Sequence, residues 1–426
     1  MMKKIIVIPA MLFCGFLQAQ KINTIINAAA VEKIESVLSS DSLRGRKVFT
    51  PDIDKAADFI ISEFKKAGLK PLKGANDFHQ HFEMLRPKLI SASAQLDGIS
   101  VPDDDLVIIS AREDVNINEK SGFETVTAGA SDNFINVVLG AVNSGKNTVV
   151  FMDSSFEKSL PRIKRFARQI LSSSMTVIFV VSNTTPTHYS ITAKQSFERM
   201  PLNNIAGMLP GKSKPNEYVI FSAHYDHLGV GKPVNGDSIY NGANDDAAGT
   251  TAVIMLARYF KAMHNNQRTL LFVAFSAEEI GEIGSTYFSK QVNPDEVKAM
   301  FNIEMIGTES KWGKNSAYIT GYDKTDMGKI LQDNLKGSNF TFYPDPYTKE
   351  NLFYRSDNAS LARVGVPAHT ISTSKMDNEP NYHKVTDEIS TLDMGNMAEI
   401  IKAIAISSQT IVSGKDTPTR VAKEEK

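Results

Sequence analysis

Five short segments carry nearly all the residues of this chain that could do chemistry together. They are FSAHYDH (221–227), NGANDDAAG (241–249), FSAEEIGEIGS (275–285), NIEMIG (302–307) and NYHKVTDE (381–388). Imidazoles and carboxylates in this proportion suit divalent metal. Two divalent cations bring four positive charges. One bridging carboxylate, two terminal carboxylates and a hydroxide balance them, and neutral histidines complete the shells. Zinc accepts both donor types. A metal pair roughly 3.5–4 Å apart makes hydroxide near neutral pH and stabilises the oxyanion that hydroxide creates. A further carboxylate, not bound to metal, must move the proton. The adjacent pair Glu278–Glu279 can supply one ligand and one base.

The elements around these segments place them sensibly. Apolar runs YVIFSA (218–223), TLLFVAFS (269–276), AMFNIEMIG (299–307), SAYIT (316–320) and PAHTIST (367–373) read as strands. AAGTTAVIMLARYFKAMH (247–264) reads as a helix. Near-continuous apolar strands separated by helices predict a mostly parallel sheet covered on both faces. In such sheets the site lies at the carboxyl ends of the strands. His224, Glu278, Glu279 and Glu304 all fall at such ends. Asp245 and Asp246 follow a long glycine-rich approach, GVGKPVNGDSIYNGAN, and precede the helix. Asp246 could also serve only as its N-cap.

The chain has 426 residues, enough for two or three domains. Its net charge of -1 lacks the footprint of a polyanion binder. Two lysines, an apolar run from Ile5 to Leu17 and Ala19 as a cleavage point read as a signal peptide over 1–19. The expected location is therefore secreted or periplasmic, in a bacterium. Cys14 is the only cysteine, so the mature chain has no disulfide and no thiolate ligand. Residues 20–84 read as a helical segment, with Gly68 and Pro71 stopping the pattern at Leu69. Residues 85–200 hold β-like runs at 105–111, 147–153 and 175–182, with a helix expected over SLPRIKRFARQILSS. They read as an inserted α/β or β-rich accessory domain. Residues 203–412 form the candidate catalytic domain, and 413–426 a polar, loose tail.

As a set, HYD, a glycine-rich approach to a D-D pair, EE-x-G-x-x-GS, N-x-acid-M-I-G and YH followed by an acid resemble peptidase family M28, the co-catalytic zinc aminopeptidases and their relatives. The likeness is strong over 203–412 and weaker over 40–72. It implies two zinc ions. Asp245 would bridge them; His224 and Glu304 would complete one site, Glu279 and His383 the other. Glu278 would be the general base, and Asp226 would orient His224. The peptide Asp245–Asp246 would be cis. The accessory segment would be of the protease-associated (PA) type. Glu304 departs from the family pattern, where aspartate is usual, and its extra methylene bears on which metal is held there.

The implied activity is release of N-terminal residues from peptides. Two other readings stand beside it. A glutaminyl cyclase-like acyltransferase would use a single zinc, and a noncatalytic binding scaffold would use none; this chain keeps all six ligand and base positions. The remaining candidates rank lower. Tyr382 could contact substrate or an oxyanion. Asp357, in RSDNASLARVGVPA (355–368), could meet a substrate amine or cap the helix after it. His227 reads as a loop or structural residue, and His369 as a packed one. His79, His81, His188 and His264 read as solvent or packing residues, and Trp312 carries no argument.

Overall fold

The computed structural model describes residues 21–172 and 175–422, so the expected signal peptide lies outside the described residues. The chain divides into two units. One takes in the chain through Gln80 and from Asn203 onward, the other His81–Leu202.

The first unit is built on a mixed sheet. Its strands are β1 (Tyr189–Leu209, of which the C-terminal end belongs here), β2 (Lys214–His224), β3 (Arg268–Phe275), β4 (Val297–Glu304), β5 (Ser316–Ile319), β6 (Thr341–Pro344) and β7 (Ala368–Ser372). Their order is β6-β5-β7-β4-β2-β3-β1. β2 pairs in parallel with β3 and β4, and β4 with β7, whereas β1 and β5 run antiparallel to β3 and β7. The sheet is thus the mostly parallel, mixed one expected. All eight residues of β3 are buried, which is why its sequence is apolar without alternation.

Helices cover both faces of this sheet. On one face Phe221 of β2 stacks against Phe272 of β3, Phe301 of β4 and Phe260 of a helix. Their neighbours Ile220, Leu271 and Met300 point the other way, into a cluster with Phe288, Leu361 and Val366. Four helices pack with one another on the Phe221 face: α1 (Ala28–Leu38), α2 (Pro51–Ala67), α3 (Ala248–Met263) and α4 (Met394–Ser407). α2 starts with Thr50 accepting from Asp52 N and Pro51 at its first position. It ends at Gly68, whose φ of 75° suits a left-handed C-cap.

Several local expectations change. The strand His79–Leu96 runs through the boundary expected at 84–85, and β1 runs through that at 200–203. Polar residues on the exposed side of these strands hide their regularity. The helix expected over 159–173 is only Leu160–Phe166; Ile170 and Leu171 pair instead with Leu85 and Met84. The glycine-rich approach to Asp245 holds a hairpin, Gly229–Val234 with Asp237–Tyr240, closed by Asn235–Gly236, both at positive φ. The tail is not loose as far as it is described. Val421 is buried, and Arg420 donates to the carbonyls of Pro294 and Val297. Buried Arg268 reaches Asp416 O and Thr417, so these backbone contacts hold a segment whose composition reads as solvent-loving.

The second unit contains a four-stranded sheet ordered Leu106–Ile109, Val177–Val181, Thr148–Met152 and Glu124–Ala128. Its core includes Val150, Phe179 and Ile163, all fully buried. Among the described residues no helix is long and apolar enough to cross a membrane.

Candidate functional site

β2 lies at the centre of the parallel strands and ends in His224. Asp245 and Asp246 sit in the turn before α3, joined by a cis peptide bond. Glu278 and Glu279 follow β3, and Glu304 is the last residue of β4. His383 lies in the loop after β7. Adjacent strand ends therefore bring together every expected ligand and the expected base.

The two oxygens of Asp245 face different partners. Oδ1 is 3.2 Å from His224 Nε2, which is itself 3.4 Å from Glu304 Oε1. Oδ2 is 3.2 Å from His383 Nε2, which lies 3.1 Å from Glu279 Oε2. Glu278 Oε2 stands 3.9 Å from His224 Nε2, at the edge of this arrangement. His224, Asp245 and Glu304 group a nitrogen and two carboxylates within reach of one cation, and in the other half the nitrogen so grouped with Asp245 and Glu279 is that of His227. The donor types fit zinc.

His227 was expected to be structural, and the geometry differs. It is fully buried, with Nδ1 2.6 Å from Glu279 Oε1 and 3.8 Å from Asp245 Oδ2. Neither ring nitrogen makes a hydrogen bond, nor does Glu279 Oε1. Buried polar atoms are normally paired, so a nitrogen and an oxygen this close without hydrogen-bond geometry fit a cation between them. The sequence signal was present: HYDH carries a second imidazole three residues after the first.

Titration agrees with an ion-shaped site. Burial opposes charge on His224, yet the carboxylates of Glu304 and Glu278 push its pKa well up. Hydrogen bonds to Asp245 and Glu279 push His383 up to about 10. Without metal the carboxylates draw protons onto both rings, and metal binding would release them. Burial pushes Glu278 well above the usual carboxylate range.

Other residues hold the ligands in place. His224 Nδ1 is 3.1 Å from the backbone oxygen of Asp226, but 3.8 Å from its carboxylate, too far for a hydrogen bond. The Asp226 carboxylate instead accepts from the backbone N–H of Glu278 and Glu279. It therefore fixes the base-bearing turn, and only its carbonyl orients the imidazole. Burial pushes the Asp226 carboxyl up to about 6. Asp246 does more than cap α3: it accepts from Gly249 N, His224 N and Met305 N, tying together α3, β2 and the residue after β4. A side chain at Gly249 would run into the Asp246 carboxylate and Ile303 O. Ser356 donates to Glu304 Oε2 and accepts from Asn302, so the longer acid has its own support.

Two further holders were not foreseen. Asp387 accepts from the N–H groups of Asn244 and Asp245, presenting the bridging residue from below. Arg46, only 1% exposed, donates to four carbonyls: Leu38, Tyr225, Asn241 and Gly242. It joins the HYDH turn to the turn before Asp245. Its sequence setting, LRGRK, gave no sign of this.

The lower-ranked residues sort plainly. Tyr382 is half-exposed, stacks on His383 at 3.9 Å between centroids and lines the cleft. Asp357 is buried without making the expected cap, and burial pushes it up to about 8. His369 is packed as expected, between Thr320 O and the Thr325 hydroxyl. His79 lies 3.3 Å from Asp77, His188 is exposed, and His264 ends α3 in the left-handed region.

Comparisons place this geometry. The model of "Peptidase family M28" matches residues 204–407. Aminopeptidase YwaD of Bacillus subtilis (strain 168) is 24% identical over 54% of this chain and 50% of its own length. A probable zinc metalloprotease of Pyrenophora teres f. teres (strain 0-1) is 32% identical over 37% of this chain and 33% of its own. The chain thus spans about half, or less, of the length of these curated relatives. The solved aminopeptidase from Aneurinibacillus sp. strain AM-1 superimposes with a TM-score of 0.54 at 16% identity, covering 95% of this chain and 98% of that one, a likeness of fold. Sequence motifs, sheet and side-chain arrangement agree: the segment 204–407 of this chain belongs to peptidase family M28.

Proposed function

We propose that this chain is a secreted zinc aminopeptidase that removes N-terminal residues from peptides. The observation that carries the reading is Asp245, whose two carboxylate oxygens each face a separate imidazole-and-carboxylate set. His224, Asp245 and Glu304 would hold one zinc; Asp245, Glu279 and His383 the other, with His227 beside it. Two zinc ions there would polarise the scissile carbonyl and acidify water. The protein's own groups do the rest. Glu278 takes the proton of the attacking water and returns it to the leaving amine. The Asp226 carboxylate holds Glu278 on its turn through the backbone N–H. Tyr382, at the cleft beside His383, has a hydroxyl to donate to the developing oxyanion. The inserted segment 85–200 is read as a PA-like accessory domain, and residues 1–19 as the signal for export. Two imidazole-and-carboxylate sets sharing Asp245 favour this over a single-zinc cyclase.

The test is hydrolysis of aminoacyl p-nitroanilides and of the same compounds N-acetylated, with wild-type protein and Glu278→Gln. Turnover that needs a free amine and falls about 100-fold or more in the variant supports the reading. Cyclisation of N-terminal glutamine without peptide hydrolysis would replace it with the transferase.

A further inference from the structure

The cleft beside the metal-type ligands is partly open to solvent, and hydroxyls are frequent in its walls. Thr370 and Ser372 are alternate residues of β7 and so share one face; Ser374 follows in the same step. Tyr318, the partner of Ser372 across the sheet, adds its phenol, and Thr320 a further hydroxyl. Only Met305, Leu352 and Met376 contribute apolar side chains. These hydroxyls are buried and bonded within the fold: Thr370 donates to Asn358 and Tyr318 to the carbonyl of Ser374, so they shape the wall and leave charge recognition to another group.

One lysine or arginine lines the cleft: Arg355. Its guanidinium is about half exposed, and it reaches Glu350 only at 3.5 Å, to both the carbonyl and the carboxylate. Contacts that long and that exposed hold it weakly. Ser356, the next residue, donates to Glu304. Arg355 thus lines the cleft from the residue next to the one that supports Glu304. The cleft's own acids, Asp245, Glu278 and Glu304, lie at its metal-ligand end, against His224.

We infer that this pocket selects peptides whose N-terminal residue is acidic, with Arg355 reading the side-chain carboxylate. An arginine fork matches a carboxylate with two parallel bonds. The inference rests on the aminopeptidase reading, whose substrate class it specifies. Arg355 acts here as a specificity determinant, and no bond is made or broken on it.

The experiment is kcat/KM for the glutamyl, aspartyl, glutaminyl and leucyl p-nitroanilides, with wild-type protein and Arg355→Met. The substituted side chain is exposed, so folding is expected to persist, and metal content checks the site. Glutamyl should exceed leucyl by about tenfold or more, the low end for a charged hydrogen bond at a partly exposed residue. The variant should lower the glutamyl-to-leucyl ratio by about as much, mainly through KM, with glutaminyl changed less. Leucyl hydrolysed as well as glutamyl, or a ratio untouched by the substitution, overturns the inference and leaves an aminopeptidase. Hydrolysis of none of the four overturns the aminopeptidase reading and this inference with it.

Discussion

Replacing Arg46 with methionine should damage both stability and metal binding, although Arg46 touches no ligand side chain. Methionine keeps much of the length and volume but removes every donor. Four buried carbonyls, those of Leu38, Tyr225, Asn241 and Gly242, then lose their partner. Each orphaned acceptor costs about 1 kcal/mol or more. Relief from burying a cation offsets part of that, since burial lowers the guanidinium pKa. Glu35 adds little to the loss, because burial pushes its carboxyl up to about 8 and leaves it mostly neutral near pH 7. Removing one member of a buried charged network costs about 3–5 kcal/mol, and we expect that range. Tyr225 and Asn241–Gly242 flank His224, Asp226, His227 and Asp245, so their loosening should weaken zinc affinity about tenfold. Urea unfolding of the metal-free protein gives the first quantity, and competitive chelator titration the second. A loss under about 1 kcal/mol with unchanged affinity would refute the idea that Arg46 joins the two turns.

Other substitutions separate the roles of neighbouring groups. His227→Ala should reduce zinc retained at the half of the site containing Glu279, read by metal analysis after dialysis against a weak chelator; unchanged retention would make His227 a packing residue. Asp387→Ala removes the acceptor for Asn244 N and Asp245 N, and should lower kcat/KM about tenfold or more through a displaced bridging ligand. His369 supplies a pH prediction for stability. Burial holds its pKa down to about 4 in the fold, from an ordinary 6.5. The folded state thus binds fewer protons than the unfolded one between these values. Its contribution is fully present above pH 6.5 and is lost as pH falls toward 4, by about 3 kcal/mol. Urea midpoints across that window should show a slope that His369→Gln flattens.

The sheet and the ligand set were legible because both are written in local chemistry. Strands buried on both faces must be apolar throughout, and β3 and β4 announce themselves that way. A ligand at or just after the end of such a strand is carried to the site, as His224, Glu279 and Glu304 are. What stayed hidden depends on contacts distant in sequence. Arg46 acts 195 residues away on Asn241 O, and nothing in LRGRK signals a carbonyl cage. The long strands His79–Leu96 and Tyr189–Leu209 carry too many exposed polar residues to stand out. His227 is visible in HYDH, but a second imidazole in one short turn reads equally as a loop or structural residue. Asp226 was expected beside His224; its carbonyl meets that ring, while its carboxylate serves the Glu278–Glu279 turn.

The most direct test of the central claim is zinc stoichiometry, measured by titrating the metal-free protein with zinc while following bound metal and aminoacyl hydrolysis together. A two-ion site bridged by Asp245 predicts binding that saturates at two zinc per chain, and Asp245→Asn protein that no longer retains the pair. Saturation at one zinc per chain with full activity, or an Asp245→Asn protein that still holds two, would contradict it.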